Sequence, residues 1–508
     1  MPRCEARQVT TDGPLTVRPQ GRPRGRPSLR PDRRPQVALL AVAAVYAAVA
    51  LVIGWRTRFG WDESVYISQV ARGVPAAFFS APRARGISWL VAPVASFTTS
   101  VAAVRIYLGV LAGAGLVAAF WPWLRLRRGA VVPLAAAVFA VSWQALFYAP
   151  QAMPNLWVAL PAVAATGWFI RAAGAEDGGD RRLEYAGVAV AVCVATIVRP
   201  SDGSWLALPL LAAVIGVRHW RKAPLGAAVL GGAVLGWLPW VVEALARFDG
   251  PLHRLRLAAD IQGGTSPQFA VVTALRGVDG PLLCRPCDRP VPTLGAVVWV
   301  VGALALVTAV VTARRYGRAA STWLPTVVGG SLAVPYFFLV YYTAARFLLP
   351  AYAVLAVPVA EGLLVWGGSL ASVTGRRAAA VAVAAVVVVF AGTQLRVAAD
   401  TTTRNTSAQR GLTELTRVLQ QRGLRPPCGV GGPQAPLVAF PARCVARLRS
   451  GRDPSGTPRA MIREARTERV AFVWGGAMRR TFWEREGWQR IALRHGRHWW
   501  TAYLSPRP

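Results

Sequence analysis

Long apolar runs, broken at intervals by short arginine-bearing segments, fill the chain from residue 37 to residue 395. A membrane-crossing helix needs about 20 mostly apolar residues. Runs of that kind fall at 37–55, 101–123, 130–147, 155–171, 184–199, 203–218, 224–244, 292–313, 322–342, 347–367 and 378–395. The pattern predicts an all-α polytopic membrane bundle of about eleven transmembrane helices. The stretch 86–100 (GISWLVAPVASFTTS) is apolar but short, and predicts a helix lying in or dipping into an interface. From residue 396 the pattern becomes that of a water-soluble unit. Residues 407–423 carry helical spacing with Ser407 as a candidate N-cap and Gly423 as the stop. Residues 469–474 read as a buried strand, and 487–493 and 498–504 as further strands joined through His495-Gly496. A small α/β domain over 396–508 follows, in which 424–460 carries no clear element signal.

Composition agrees with the pattern. The chain is 54% hydrophobic and only 16% charged, against roughly a quarter charged in soluble domains. Its formal net charge of +35 would suit a nucleic-acid partner if the arginines gathered on one soluble domain, but they do not. They fall in the tail, in short loops and in the C-terminal segment, and Lys222 is the only lysine. Residues 1–36, rich in Arg and Pro, read as a disordered basic tail.

The loop arginines also set a sidedness. Basic loops occur at 124–128, 171–182, 218–222, 314–318 and 376–377, and with the tail inside all of them fall on the cytoplasmic face. The expectation is a multi-pass protein of the cell membrane, with a cytoplasmic N-terminus and an extracytoplasmic 396–508. Outward loops then run over about 56–100 and 245–291.

The segment richest in chemistry is 58–90, where Asp62 and Glu63 follow the first span closely and Tyr66 lies on the helix they open. Carboxylates at a membrane face are costly unless solvated or paired, and they mark functional sites. They also favour the first turn of a helix, so a solvated capping pair is the competing reading. The 245–291 loop carries mixed charge including His253, which suits either a glycan or pyrophosphate contact or a solvated amphipathic helix. Cys284 and Cys287 read as a redox or zinc half-site, zinc drawing on Cys428 and Cys444, or else as disulfides 284–287 and 428–444. Trp483, Trp488, Trp499 and Trp500 suit sugar stacking or core packing.

The run WDESVYISQVARG with its Pro/Arg turn resembles the first outward loop of the GT-C superfamily of integral-membrane glycosyltransferases, which use polyprenyl-phosphate sugars. VRIYLGVLAG (104–113), IVRPSDG (197–203) and ARFLLPAYAVLAVPVAEGL (345–363) resemble later segments of that family, so that 37–395 is covered. The resemblance implies transfer of a sugar from a polyprenyl-phosphate donor to an extracytoplasmic glycan, lipid or protein acceptor, with inversion. Asp62 would be the general base and Glu63 its support. Arg346, Arg199 and Arg105 would hold the donor phosphate, and Tyr66, Asp202 and His253 would contact substrate. One departure stands out: the loop 148–155 (YAPQAMPN) offers Gln151 and Asn155 where many relatives carry a second acid. Dependence on a divalent metal is left open, with Asp202 the substitute if its loop folds back towards Asp62.

The rival readings are a transporter or flippase for a lipid-linked glycan, and a non-catalytic scaffold of envelope assembly. Convergence of Asp62, Arg199 and Arg346 on one cavity beside a lipid groove favours the enzyme.

Overall fold

A computed structural model describes residues 33–174, 181–264, 266–315, 319–476, 482–496 and 498–506. The basic tail expected over 1–36 lies almost wholly outside the described residues, as do parts of the basic loops 171–182 and 314–318.

The chain opens with α1 (Arg34–Gly54), then a short α2 (Trp61–Ser68) and α3 (Gly86–Ala95). Next come α4 (Val101–Phe120), α5 (Val131–Val141), α6 (Trp143–Tyr148) and α7 (Pro154–Gly174). The pair α8 (Arg182–Val198) and α9 (Pro200–Gly216) leads into α10 (Ala223–Arg247), α11 (Pro251–Gln262) and α12 (Val271–Arg276). The last apolar helices are α13 (Thr293–Arg315), α14 (Ala319–Phe338), α15 (Leu349–Thr374) and α16 (Arg376–Gln421).

Seven of the described helical segments are long and apolar enough to cross a membrane: Arg34–Gly54, Val101–Arg125, Pro154–Gly174, Ala223–Arg247, Thr293–Arg315, Ala345–Thr374 and Arg376–Gln421. The other expected spans fall on shorter or interrupted elements. Ser142 breaks the run 130–147, accepting a hydrogen bond from Ala145 N–H as the cap of α6. The expected spans 184–199 and 203–218 are two helices of 17 residues each, meeting at Pro200, and α14 ends at Phe338, short of the expected 342. Within the bundle α7 and α15 form the interior, with 78% and 61% of the most apolar window of their segments buried, whereas the corresponding windows of α13 and α16 are 11% and 6% buried. The stretch 86–100 forms a ten-residue helix, as its length predicts.

The C-terminal expectation needs one correction. No new helix begins at Ser407, because α16 continues without interruption from the apolar run to Gln421 and Ser407 lies inside it. Nothing there breaks helical propensity, and the change from apolar to polar composition alters only what the helix packs on. It ends near Gly423, whose φ of +97° suits glycine. The segment left unassigned holds β1 (Cys428–Gly431), α17 (Ala435–Ala442), β2 (Val445–Arg447) and α18 (Pro458–Glu464). With β3 (Arg469–Gly475), β4 (Gln489–His495) and β5 (His498–Leu504) these strands form one sheet in the order β2-β1-β3-β5-β4. The β2-β1-β3 part is parallel and the β3-β5-β4 part antiparallel. Cys428–Cys444 and Cys284–Cys287 are both disulfide-bonded. Trp483, Trp488 and Trp500 are buried in the packing of this unit, and Trp499 is exposed.

The sheet unit is fastened to the first loop by specific contacts. Trp61 donates its indole N–H to the Pro433 carbonyl at 2.9 Å, Phe59 packs edge-on against Phe440, and Gln409 of α16 bonds both the N–H and the carbonyl of Arg58. At the opposite end of the bundle Arg127 pairs with Glu361 and bonds the Ser321 backbone and hydroxyl. That contact brings the 124–128 loop and the start of α14 to one end.

Candidate functional site

The site is built where α2, the turn after it, the α8–α9 break and the approach to α15 meet. Gly60 caps α2, and Glu63 in its first turn accepts the Gly60 N–H at 2.8 Å. This fixes Asp62 one position earlier in the same turn. A β-carbon on Gly86 would lie 2.6 Å from the Val198 Cα, so only glycine lets the chain after the Pro/Arg turn reach the end of α8. Pro200 disfavours helix at the residue before it, so Arg199 is extended (φ −153°, ψ 95°) and leaves the α8 axis.

Asp62 lies among guanidinium groups. Arg83 donates to its Oδ1 at 2.6 Å, and an Arg346 nitrogen lies 3.5 Å from its Oδ2. Arg199 is close enough to add to the same field. Arg83 is held over the rings of Trp61 and Tyr66, at 5.3 and 4.9 Å. Arg346 donates to the Leu282 carbonyl at 3.1 Å, beside the rings of Tyr148 and Phe347. Arg199 faces Asp202 at 3.5 Å, whose other oxygen accepts the Tyr336 hydroxyl at 2.8 Å. Asp202 thus folds back only as far as Arg199.

Burial pushes the Asp62 carboxyl up, but Arg83 first, then Arg346 and Arg199, hold it below the ordinary aspartate value. A base of this kind is ionised, and competent, above its depressed pKa and fails only as the pH falls through it. Replacing Arg83 with Met removes the strongest of these opposing fields and leaves the burial. The acid limb of a pH–rate profile should therefore move to higher pH in Arg83→Met. A limb at the wild-type position would show that Arg83 does not tune this carboxylate.

The other sequence candidates separate from this cluster. Glu63 and Arg105 are brought together, but with each other. Both are buried, joined by two N–H···O bonds of 2.5 and 2.8 Å, and Glu63 also accepts the Ala152 N–H. The same two terminal nitrogens of Arg105 also donate to the carbonyls of Pro150 and Arg58, and its Nε–H is buried without a partner. The pair ties α2 to α4 and to the 148–155 loop, and neither group faces open space. Tyr66 is buried under Arg83 and against Phe79. His253 of α11 lines a different cavity, with Gln69, Phe79, Arg247 and Asp249.

Sequence reasoning passed over Arg83, the tightest partner of Asp62, although its place in the turn after the acidic helix was the available signal. It also passed over Glu243, clamped by Arg85 at 2.5 Å and by the buried Arg254 at 2.8 Å. Arg254 donates to the Ala81 and Arg83 carbonyls as well, holding the Pro/Arg turn against α10.

Among the described residues no three of His, Cys, Asp and Glu come together. A divalent cation beside Asp62 would meet a single carboxylate facing cations, a donor set that does not fit such an ion.

An apolar cavity of about 480 Å³ comes within two residues of Arg346 along the chain, although none of Asp62, Arg83, Arg199 and Arg346 lines it. Phe139, Trp143, Trp299, Tyr352, Leu355 and Phe390 line it, together with Leu348 on the same short turn as Arg346.

No family model and no curated protein sequence matches the chain. Its fold is similar to that of ArnT from Cupriavidus metallidurans bound to undecaprenyl phosphate, with a TM-score of 0.64 and 12% identity over 94% of this chain and 98% of that one. The apo state of ArnT matches with the same TM-score at 14% identity, covering 93% and 98%. The oligosaccharyltransferase AglB from Archaeoglobus fulgidus, in complex with an inhibitory peptide and a dolichol-phosphate, matches at 0.52 and 12% identity over 81% of this chain and 64% of that one. At these identities the likeness is one of fold.

Proposed function

We propose that this GT-C-fold membrane protein transfers a sugar from a polyprenyl-phosphate donor to an acceptor, with inversion, at the Asp62 cluster. The carrying observation is the meeting of one carboxylate with Arg83, Arg199 and Arg346, the last on the same short turn as Leu348, which lines an apolar cavity. A polyprenyl tail suits that cavity and its phosphate suits the planar forks of Arg346 and Arg199. The ligands bound in the two structural neighbours, undecaprenyl phosphate and dolichol-phosphate, belong to the same chemical class. Clustering of the charges at one end, rather than at mid-bundle, supports a transferase over a carrier.

The reaction is a single displacement. The acceptor oxygen bonds to the anomeric carbon as the bond from that carbon to the phosphate oxygen breaks, and the electron pair leaves with the lipid phosphate. The acceptor proton passes to Asp62. Charge gathering on the leaving phosphate is met by Arg346 and Arg199. Arg346 holds Asp62 loosely, at 3.5 Å. An arriving phosphate would draw Arg346 to itself, relieve that field and make Asp62 a stronger base at the moment it is needed. Glu63 and Arg105 act through position, by fixing α2.

The arginine-rich loops at 124–128 and 314–318 support an orientation with the Arg127 end in the cytoplasm and the Asp62 end, with residues 396–508, outside. The test is turnover of a panel of polyprenyl-phosphate sugars by the purified protein, read as release of the free lipid phosphate. Release from at least one donor is expected, and none from donors whose sugar is retained in every acceptor mixture would defeat the proposal.

A further inference from the structure

We propose that the cavity between α16, α17 and residues 58–64 is a second anion site, which takes a phosphate-bearing headgroup separately from the Asp62 cluster. The cavity has a volume of about 370 Å³, and Arg58, Arg417 and Arg443 line it together with the polar side chains of Gln409, Thr413 and Gln420. No carboxylate lines it. The described residues give none of these arginines an ion pair or a side-chain hydrogen bond, in contrast to Arg83, Arg105, Arg127 and Arg254. Cations facing one concave space without a counter-charge repel one another, and an anion with several oxygens relieves that repulsion.

The backbone that carries two of the three, Arg58 and Arg443, is also held in place. Arg443 has a φ of +56°, left-handed backbone that an arginine rarely adopts, at the end of α17. Its neighbour Cys444 is bonded to Cys428, so the turn carrying it is anchored to β1. Gln409 clamps Arg58 by both backbone groups, at 2.9 and 3.2 Å. Val101, the first residue of a spanning helix, lines the cavity too, which places it at headgroup depth. Residues 58–64 separate it from the first cluster: Asp62 pairs with Arg83, while Arg58, Phe59 and Ser64 face this cavity. A phosphate there comes either from a bilayer lipid or from a soluble or acceptor-borne group. The inference needs no glycosyl transfer, so it stands or falls apart from the proposed reaction.

Inorganic pyrophosphate is the probe, titrated by calorimetry into the full-length protein in nanodiscs of zwitterionic lipid, in an Arg346→Gln background that weakens the first site. Saturable, salt-sensitive binding is expected, weakened by about tenfold or more in Arg417→Gln/Arg443→Gly. Glycine suits the positive φ at 443, so the fold should persist. Arg58→Gln, an exposed change, serves as the second variant and should weaken binding in the same direction. A fall in pyrophosphate affinity in discs containing phosphatidylglycerol identifies the lipid headgroup as occupant, and no change identifies a phosphate from elsewhere. Absent binding, or equal affinity in all the cavity variants, overturns the proposal.

Discussion

Asp62→Asn is expected to lower the transfer rate by about 10²–10⁴-fold while leaving the protein folded and able to bind the lipid phosphate. The carboxamide keeps the shape of the side chain but cannot take the acceptor proton. It also releases Arg83 and Arg346, which Asp62 engages at 2.6 and 3.5 Å in the wild type. Binding of polyprenyl phosphate should therefore be unchanged or tighter, because Arg346 no longer divides its charge between a carboxylate and a phosphate. This split separates a base from a structural ion pair. Single-turnover rates and lipid-phosphate affinity measured on one preparation read both halves. Transfer at the wild-type rate would remove Asp62 as the base.

The second large effect is on stability. Glu63→Gln should cost about 3–5 kcal/mol, because it leaves the buried Arg105 guanidinium without a counter-charge. The two side chains are each 1% exposed. The carboxylate also accepts backbone N–H groups from Gly60 and Ala152, so it joins α2 to the 148–155 loop as well as to α4. The double change Glu63→Leu/Arg105→Met removes both charges but still strands those N–H groups, and should recover only part of the loss. Thermal unfolding in detergent checks this. A melting temperature for Glu63→Gln equal to wild type, with activity selectively lost, would instead make Glu63 a group that touches substrate.

Much of this architecture was legible in the chain. The apolar runs predict membrane helices because a bilayer demands length and apolarity together, and the short apolar stretch 469–474 with the two segments after it predicts β3, β4 and β5. The places where reading stopped have physical reasons. Ser142 ends a helix inside a run that is largely apolar, and apolarity alone does not record a break. The polar half of α16 looks like a new helix with its own cap, although the backbone never leaves the helix. The parallel pairing of β1 with β2 and β3 rests on four- and three-residue strands, too short for a period to show.

The site shows the same division. Asp62 stands out as half of an acidic pair close behind an apolar run, and Arg199 and Arg346 through the family resemblance of the segments that carry them. What one sequence does not record is partner choice. Glu63 and Asp62 are adjacent yet turn to different sides of α2, one into a buried pair with Arg105 and the other towards Arg83 and Arg346. Arg83 and Arg85 are likewise alike in sequence, but Arg83 meets Asp62 and Arg85 meets Glu243.

The central claim is that the guanidinium groups around Asp62 hold a polyprenyl phosphate whose tail lies in the adjoining groove. Affinity of the purified protein for undecaprenyl phosphate, compared between wild type and Arg346→Gln, tests it directly. The account predicts saturable wild-type binding that falls by about tenfold or more on loss of that charge-assisted contact. Equal affinity in the two proteins would contradict it.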